Sequence, residues 1–240
     1  MGSAKIDTDL RQAYDLMRAR FGHLCWWPGE TPFEVCVGAI LTQNTAWANV
    51  ERAIASLKAA RVLTPKKLFA LPEAKLAELI RPAGYFNVKA RRLRSFLRVL
   101  VGEYDGCLEK LFAAETSAVR ERLLAIHGIG PETADSLLLY AGGHSSFVID
   151  AYTKRIFQRH HWNRKAEDGG WKTEAGNSRA GDYDGLKQLC EAALNRKPGA
   201  ARLDYWQDYH AQLVMVGKHF CRTRAPLCEQ CPLKPLLPKN

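Results

Sequence analysis

Residues 127–152 read HGIGPETADSLLLYAGGHSSFVIDAY, and this stretch decides the fold. Gly128 and Gly130 stand one residue apart directly before Pro131, and a lone aspartate, Asp150, follows later. Ser117–Ile126 upstream has helical periodicity, and Pro131 suits the first turn of a second helix ending near Ala141. The spacing therefore predicts two helices joined by a very short turn. Glycine permits positive φ and close approach to the backbone. The N–H groups of such a turn, with the positive end of the following helix, can hold an anion such as a phosphate, while Ile129 packs inward as the anchor.

Working outward, the same periodicity governs most of the chain. Leu10, Ala13, Tyr14, Met17 and Phe21 follow an Asp7-Thr8 cap, and Phe33, Cys36, Val37, Ile40 and Leu41 follow Pro32. Thr64-Pro65 and Leu71-Pro72 start two short helices, and Asn87 can cap one running to about Val101. Further helices fit Ala151–His160, Leu186–Asn195 and Arg202–Lys218. No stretch alternates with a period of two between turns, so the expected class is all-α. Asn163–Asp184, with four glycines, is the one long loop expected.

Composition narrows the partner. The 240 residues are 47% hydrophobic and 25% charged, enough for a buried core. No run approaches the roughly 18–20 apolar residues of a membrane span. MGSAKIDTDL lacks the apolar core of a signal peptide, so the expected location is the cytoplasm. A formal charge of +10 favours a polyanion.

Three further stretches complete a pattern. GAILTQNTAWANVERAI, LIRPAGYFNVKARRLRSF and CRTRAPLCEQCPL accompany LLAIHGIGPETADSLLLYAGG and FVIDAYTKRI in the order found in the endonuclease III superfamily of DNA glycosylases, which the chain resembles over most of its length. The resemblance implies two helical domains, residues 29–143 with the helix-hairpin-helix and residues 1–28 plus 144–240 with the cysteine-rich end. It also implies a grip on double-stranded DNA containing a damaged base through Gly128, Ile129 and Gly130, sometimes with a monovalent cation, and a flipped-out base; a monomer is expected.

Asp150 follows the apolar run FVI and precedes a helical pattern, so it suits a helix N-cap. Capping bonds and the helix dipole favour its ionised form. By resemblance it is the catalytic aspartate, able to stabilise an oxocarbenium-like sugar and to orient or deprotonate water. Strand-cutting members carry a lysine two residues after the last hairpin glycine; here that residue is Glu132, which cannot form an imine. The resemblance thus implies a monofunctional glycosylase, with Glu132 either an ordinary first-turn acid or a wall of the base pocket.

The segments WWP and LTQNTAW resemble a narrower branch, the endonuclease III-like 3-methyladenine DNA glycosylases. In that branch Trp27 and Trp47, beside Trp26, would stack on a flipped purine, and a cationic alkylated purine suits electron-rich indoles. Tyr85 would fill the vacated space and Gln43 would contact the orphaned base. Arg91, Arg92, Arg94 and Arg98 form a basic face, either solvated or set against phosphates. The alternatives are a glycosylase for uracil, mismatched thymine or oxidised pyrimidines, and a DNA-binding protein without catalysis.

Cys221, Cys228 and Cys231 have the spacing of the family's iron–sulfur loop, but Leu237 stands in the fourth position. A [4Fe-4S] cluster completed by an exogenous or remote ligand, a vestigial site, and an altered residue at 237 all remain open, as does zinc held with a histidine such as His219.

Overall fold

The structure, a computed structural model, describes residues 3–24, 26, 29–162 and 180–238. Twelve α-helices are found among them, and no strand. In chain order they are α1 (Ser3–Phe21), α2 (Pro32–Leu41), α3 (Trp47–Ala59), α4 (Pro65–Ala70), α5 (Glu73–Leu79) and α6 (Phe86–Tyr104). Then come α7 (Leu108–Leu111), α8 (Thr116–Leu124), α9 (Pro131–Ser136), α10 (Ala151–Arg159), α11 (Ala180–Leu194) and α12 (Gly199–His219). A π-helical turn over Leu137–Ala141 continues α9. The chain divides into two compact units, Trp27–His144, and Met1–Trp26 with Ser145–Asn240.

In the Trp27–His144 unit, α2 is the buried centre. Thr31 caps it by accepting from the Glu34 N–H at 3.1 Å, Pro32 opens it, and Phe33 to Leu41 are all buried. Helix α6 turns Ala90, Leu93, Phe96, Leu97 and Leu100 inward at helical spacing. Lys89 lies on that inward face, 1% exposed, and its ammonium donates to the carbonyls of Leu41 (2.8 Å) and Ala83 (2.7 Å). Burial lowers its pKa to about 8.

The other unit gathers α1, α10, α11 and α12. Tyr14 stacks on Tyr209 at 5.5 Å, and Phe147 meets Tyr209 edge-on. Asp208, 1% exposed, accepts from Tyr14 Oη–H (2.7 Å), Arg18 Nη1 (3.2 Å), the Leu24 N–H (2.8 Å) and Gln212 Nε2 (3.3 Å). Gly217 lets α12 approach α10: a Cβ there would lie 2.3 Å from the Tyr152 ring.

Several boundaries differ from expectation. Thr8 does not cap; its hydroxyl donates to the Ala4 carbonyl at 2.9 Å, inside a helix that already begins at Ser3. Helix α6 is entered through Tyr85, not Asn87. Helix α3 was not anticipated. Helix α11 begins at Ala180, within the expected loop, and residues 163–179 of that loop lie outside the described residues.

Candidate active site

Helices α8 and α9 form the hairpin, with Ala125–Gly130 as its turn. Gly128 has φ +90, and a Cβ on it would lie 2.3 Å from Arg92 Cγ, so it is glycine for two reasons. Gly130 differs: its φ is −95 and a Cβ would meet nothing within 4 Å, leaving open space before α9. Ile129, 5% exposed, packs inward and its N–H donates to the Ile126 carbonyl at 3.0 Å. A buried ion pair clamps the two helices, with Arg120 Nε and Nη2 donating to Asp135 Oδ1 (2.9 Å) and Oδ2 (3.2 Å).

Gln43 ties this turn to α6. Its Nε2 donates to the Gly128 carbonyl (3.1 Å) and Thr133 Oγ1 (2.9 Å), and its Oε1 accepts from Arg92 Nη1 (2.5 Å). Both ends of the amide are therefore engaged within the protein, a role no local sequence signal carried. The turn's Ile126 and Gly128 carbonyls already accept hydrogen bonds, so a monovalent cation would have to share them. The expected basic face divides: Arg92 serves Gln43 and Arg94 donates to the Leu71 carbonyl at 2.6 Å, while Arg91 and Arg98 are exposed.

Tyr85 is 74% exposed and holds φ +45, directly after Gly84 at φ +66. A left-handed tyrosine with its ring in solvent is costly, and strain of this kind gathers at functional sites. Trp47 opens α3 half-buried and donates its indole N–H to Glu51 Oε1 at 2.9 Å. Glu132 is exposed in the first turn of α9, where the helix dipole favours a carboxylate. Trp26 is half-buried with the Lys218 ammonium 5.3 Å from its ring centroid. Trp27 lies outside the described residues.

Asp150 is the N-cap of α10. Its Oδ1 accepts from both the Thr153 N–H (2.7 Å) and Thr153 Oγ1 (2.8 Å), which fixes the carboxylate. Oδ2 takes no hydrogen bond from the described residues; His210 Nε2 is 3.7 Å away. His210 is buried, and burial pushes its pKa down against the opposing pull of Asp150, so the ring is neutral near pH 7. One carboxylate oxygen is thus anchored and the other takes no hydrogen bond from the described residues.

In the same unit, Cys221, Cys228, Cys231 and Leu237 line one pocket, with Arg159, His160 and Lys234 on its wall. Arg159 Nη1 donates to Cys221 Sγ at 3.0 Å. Burial, helped by the neighbouring Cys221 and Cys228, pushes the Cys231 thiol up. Three thiols lining one pocket beside two cationic side chains match in kind three ligands of a [4Fe-4S] cluster; Leu237 cannot supply the fourth. Zinc held with His219 does not fit, because His219 is exposed at the end of α12 and is not on the pocket wall. No three His, Cys, Asp or Glu among the described residues converge on a single-ion position.

Comparison with known proteins agrees with this geometry. Residues 37–175 match the family described as HhH-GPD superfamily base excision DNA repair protein. A candidate DNA repair glycosylase of Methanocaldococcus jannaschii is 44% identical over 92% of this chain and 92% of its own length. Among solved structures, an endonuclease III–DNA complex superposes with a TM-score of 0.73 at 21% identity, covering 99% of this chain and 95% of that one. The 3-methyladenine DNA glycosylase of H. pylori, bound to 1,N6-ethenoadenine, superposes with a TM-score of 0.68 at 26% identity, covering 91% of this chain and 98% of that one. The fold and the family define the class, DNA glycosylases of base excision repair. This chain belongs to the HhH-GPD superfamily, with endonuclease III-like architecture.

Proposed function

We propose that this protein is a monofunctional DNA glycosylase that removes cationic, N-alkylated purines of the 3-methyladenine type from double-stranded DNA. The observation that carries the reading is the pair of carboxylates. Glu132 stands exposed at the hairpin position where a strand-cutting relative would carry its amine, and Asp150 keeps one oxygen without a hydrogen bond from the described residues. The named activity of the H. pylori protein, 26% identical, supports the choice of substrate.

In this reading each part has a physical task. The hairpin backbone at Gly128–Gly130 takes a phosphate, and Arg91 and Arg98 add charge. Tyr85 enters the stack as the base leaves it, and its exposed ring needs no rearrangement to do so. Gln43 contacts the orphaned base only by exchanging one of its present bonds. Trp27 and Trp47 hold the base; Glu51 on the Trp47 indole N–H makes that ring a better partner for a cation. The Trp26 ring already carries Lys218.

As the N-glycosidic bond breaks, its electron pair leaves with the base and cancels the purine's charge. Asp150 stabilises the positive sugar and orients water, which adds at C1′ and gives its proton to the Asp150 carboxylate, from which it passes to solvent. A free base and an intact abasic site result. Cys221, Cys228 and Cys231 would hold a [4Fe-4S] cluster, which when bound cross-links the C-terminal loop. No catalytic step depends on it or on a cation at the hairpin.

The test is base release from alkylated genomic DNA and from duplexes carrying single uracil, T:G, thymine glycol or hypoxanthine lesions. Wild type should release 3-methyladenine and Asp150→Asn should not. Release of a pyrimidine instead would overturn the pocket assignment, and no release by wild type would leave a DNA-binding protein. A borohydride-trapped adduct with DNA would refute the monofunctional reading.

A further inference from the structure

We infer that His160 is the fourth ligand of the cluster held by Cys221, Cys228 and Cys231, coordinating through Nε2; the inference rests on the cluster reading above. Leu237 has no lone pair to offer, and the structure puts a different donor on the same wall. His160 closes α10 and lines the pocket with the three cysteines, although it is 4% exposed.

One of its ring nitrogens is already committed to the backbone. Nδ1 lies 3.2 Å from the Leu236 carbonyl, and since a carbonyl only accepts, Nδ1 carries the proton. In the neutral ring Nε2 is then a lone pair, and it takes no hydrogen bond from any described residue. Ligating histidines are commonly fixed this way, with the far nitrogen donating to a backbone carbonyl. Leu236 also immediately precedes Leu237, so the imidazole sits against the segment that should have supplied the missing ligand.

The surroundings hold the ring in place. It stacks on Trp162 with centroids 4.5 Å apart and planes at 26°, and the fully buried Trp162 donates its Nε1–H to Asp9 Oδ2 at 3.3 Å. The cations facing the pocket are Arg159, on Cys221, and Lys234. With a neutral imidazole in place of a thiolate, the cluster carries one negative charge fewer. Histidine ligation also raises a cluster's reduction potential.

The experiment is anaerobic reconstitution of the full chain with ferrous iron and sulfide, followed by metal analysis and pulsed electron paramagnetic resonance of the reduced protein. Wild type should bind about four iron and four sulfide and show strong hyperfine coupling to a ligating nitrogen. His160→Ala should lose that coupling and give a three-iron signal when oxidised. Adding Leu237→Cys to His160→Ala should restore the fourth iron without the nitrogen. A four-iron cluster in wild type without strongly coupled nitrogen overturns the inference, and needs no variant to fold. Failure of wild type to take up iron and sulfide sinks the cluster reading itself; base release, measured separately, is unaffected by either result.

Discussion

Asp135 in the hairpin and Asp150 at the head of α10 are both buried aspartates, and the chain completes them differently. Asp135, fully buried, has both oxygens taken by one guanidinium, that of Arg120. Asp150 has one oxygen held twice by Thr153 and the other free of hydrogen bonds from the described residues. The contrast is not one of units, because Asp208, in the same unit as Asp150, fills both oxygens with four donors. Unmet hydrogen-bonding capacity is costly inside a protein, so full satisfaction suits the structural roles of Asp135 and Asp208, while Asp150 keeps an oxygen able to take a further partner. Partial satisfaction alone does not mark a site, since buried Asp9 accepts, among the described residues, only from Trp162.

The sharpest way to break this comparison is to remove charge at the unsaturated site. Asp150→Asn keeps a side chain that caps helices as well as aspartate does. Single-turnover base release should fall about 10²–10⁴-fold while the thermal unfolding midpoint stays nearly constant; equal loss of both would make Asp150 a structural residue. At the saturated site the reverse should hold. Arg120→Ala removes the guanidinium that holds both oxygens of buried Asp135 and should lower stability by about 3–5 kcal/mol in urea titrations, with Arg120→Met plus Asp135→Leu recovering most of it.

A smaller effect tests the buried cation of the same unit. Lys89 gives up its proton near pH 8 when folded and near 10.5 when unfolded. Between those values the unfolded chain binds more protons, so this residue's contribution to stability rises with pH across that window. Subtracting the stability of Lys89→Met from that of wild type at each pH should show that rise; a flat difference would mean Lys89 titrates normally. The hairpin glycines give the finest comparison. Gly128→Ala should cost about 1–3 kcal/mol through its clash with Arg92. Gly130→Ala should change stability by less than about 0.5 kcal/mol and still weaken DNA binding in a titration.

What the sequence revealed was local. Gly128, Gly130 and Pro131 announce the hairpin, and the run before Asp150 announces a cap, because backbone freedom and capping depend on neighbours in the chain. Helix α3 was hidden because its N-cap, Ala46, offers no capping side chain and follows the polar segment TQNT. Gln43 read as a base contact, and its bonds to partners 85 and 90 residues away left no local trace in the sequence. Lys89 carried no sign of burial, since a lysine on a helix is ordinarily solvated. His160 stood only as the last residue of an expected helix; the fold alone brings it to a carbonyl 76 residues on.

Lys89 also has a mechanical meaning. Its ammonium joins the end of α2, at Leu41, to Ala83, two residues before Tyr85. Under the proposed function Tyr85 is pushed into a base stack, and the stack pushes back. The recoil on that short strained segment passes through Lys89 into α2, whose residues Phe33 to Leu41 are all buried. A probe can sense how easily a base pair yields only if its own mount yields less, and this lysine is the bolt that makes the mount rigid.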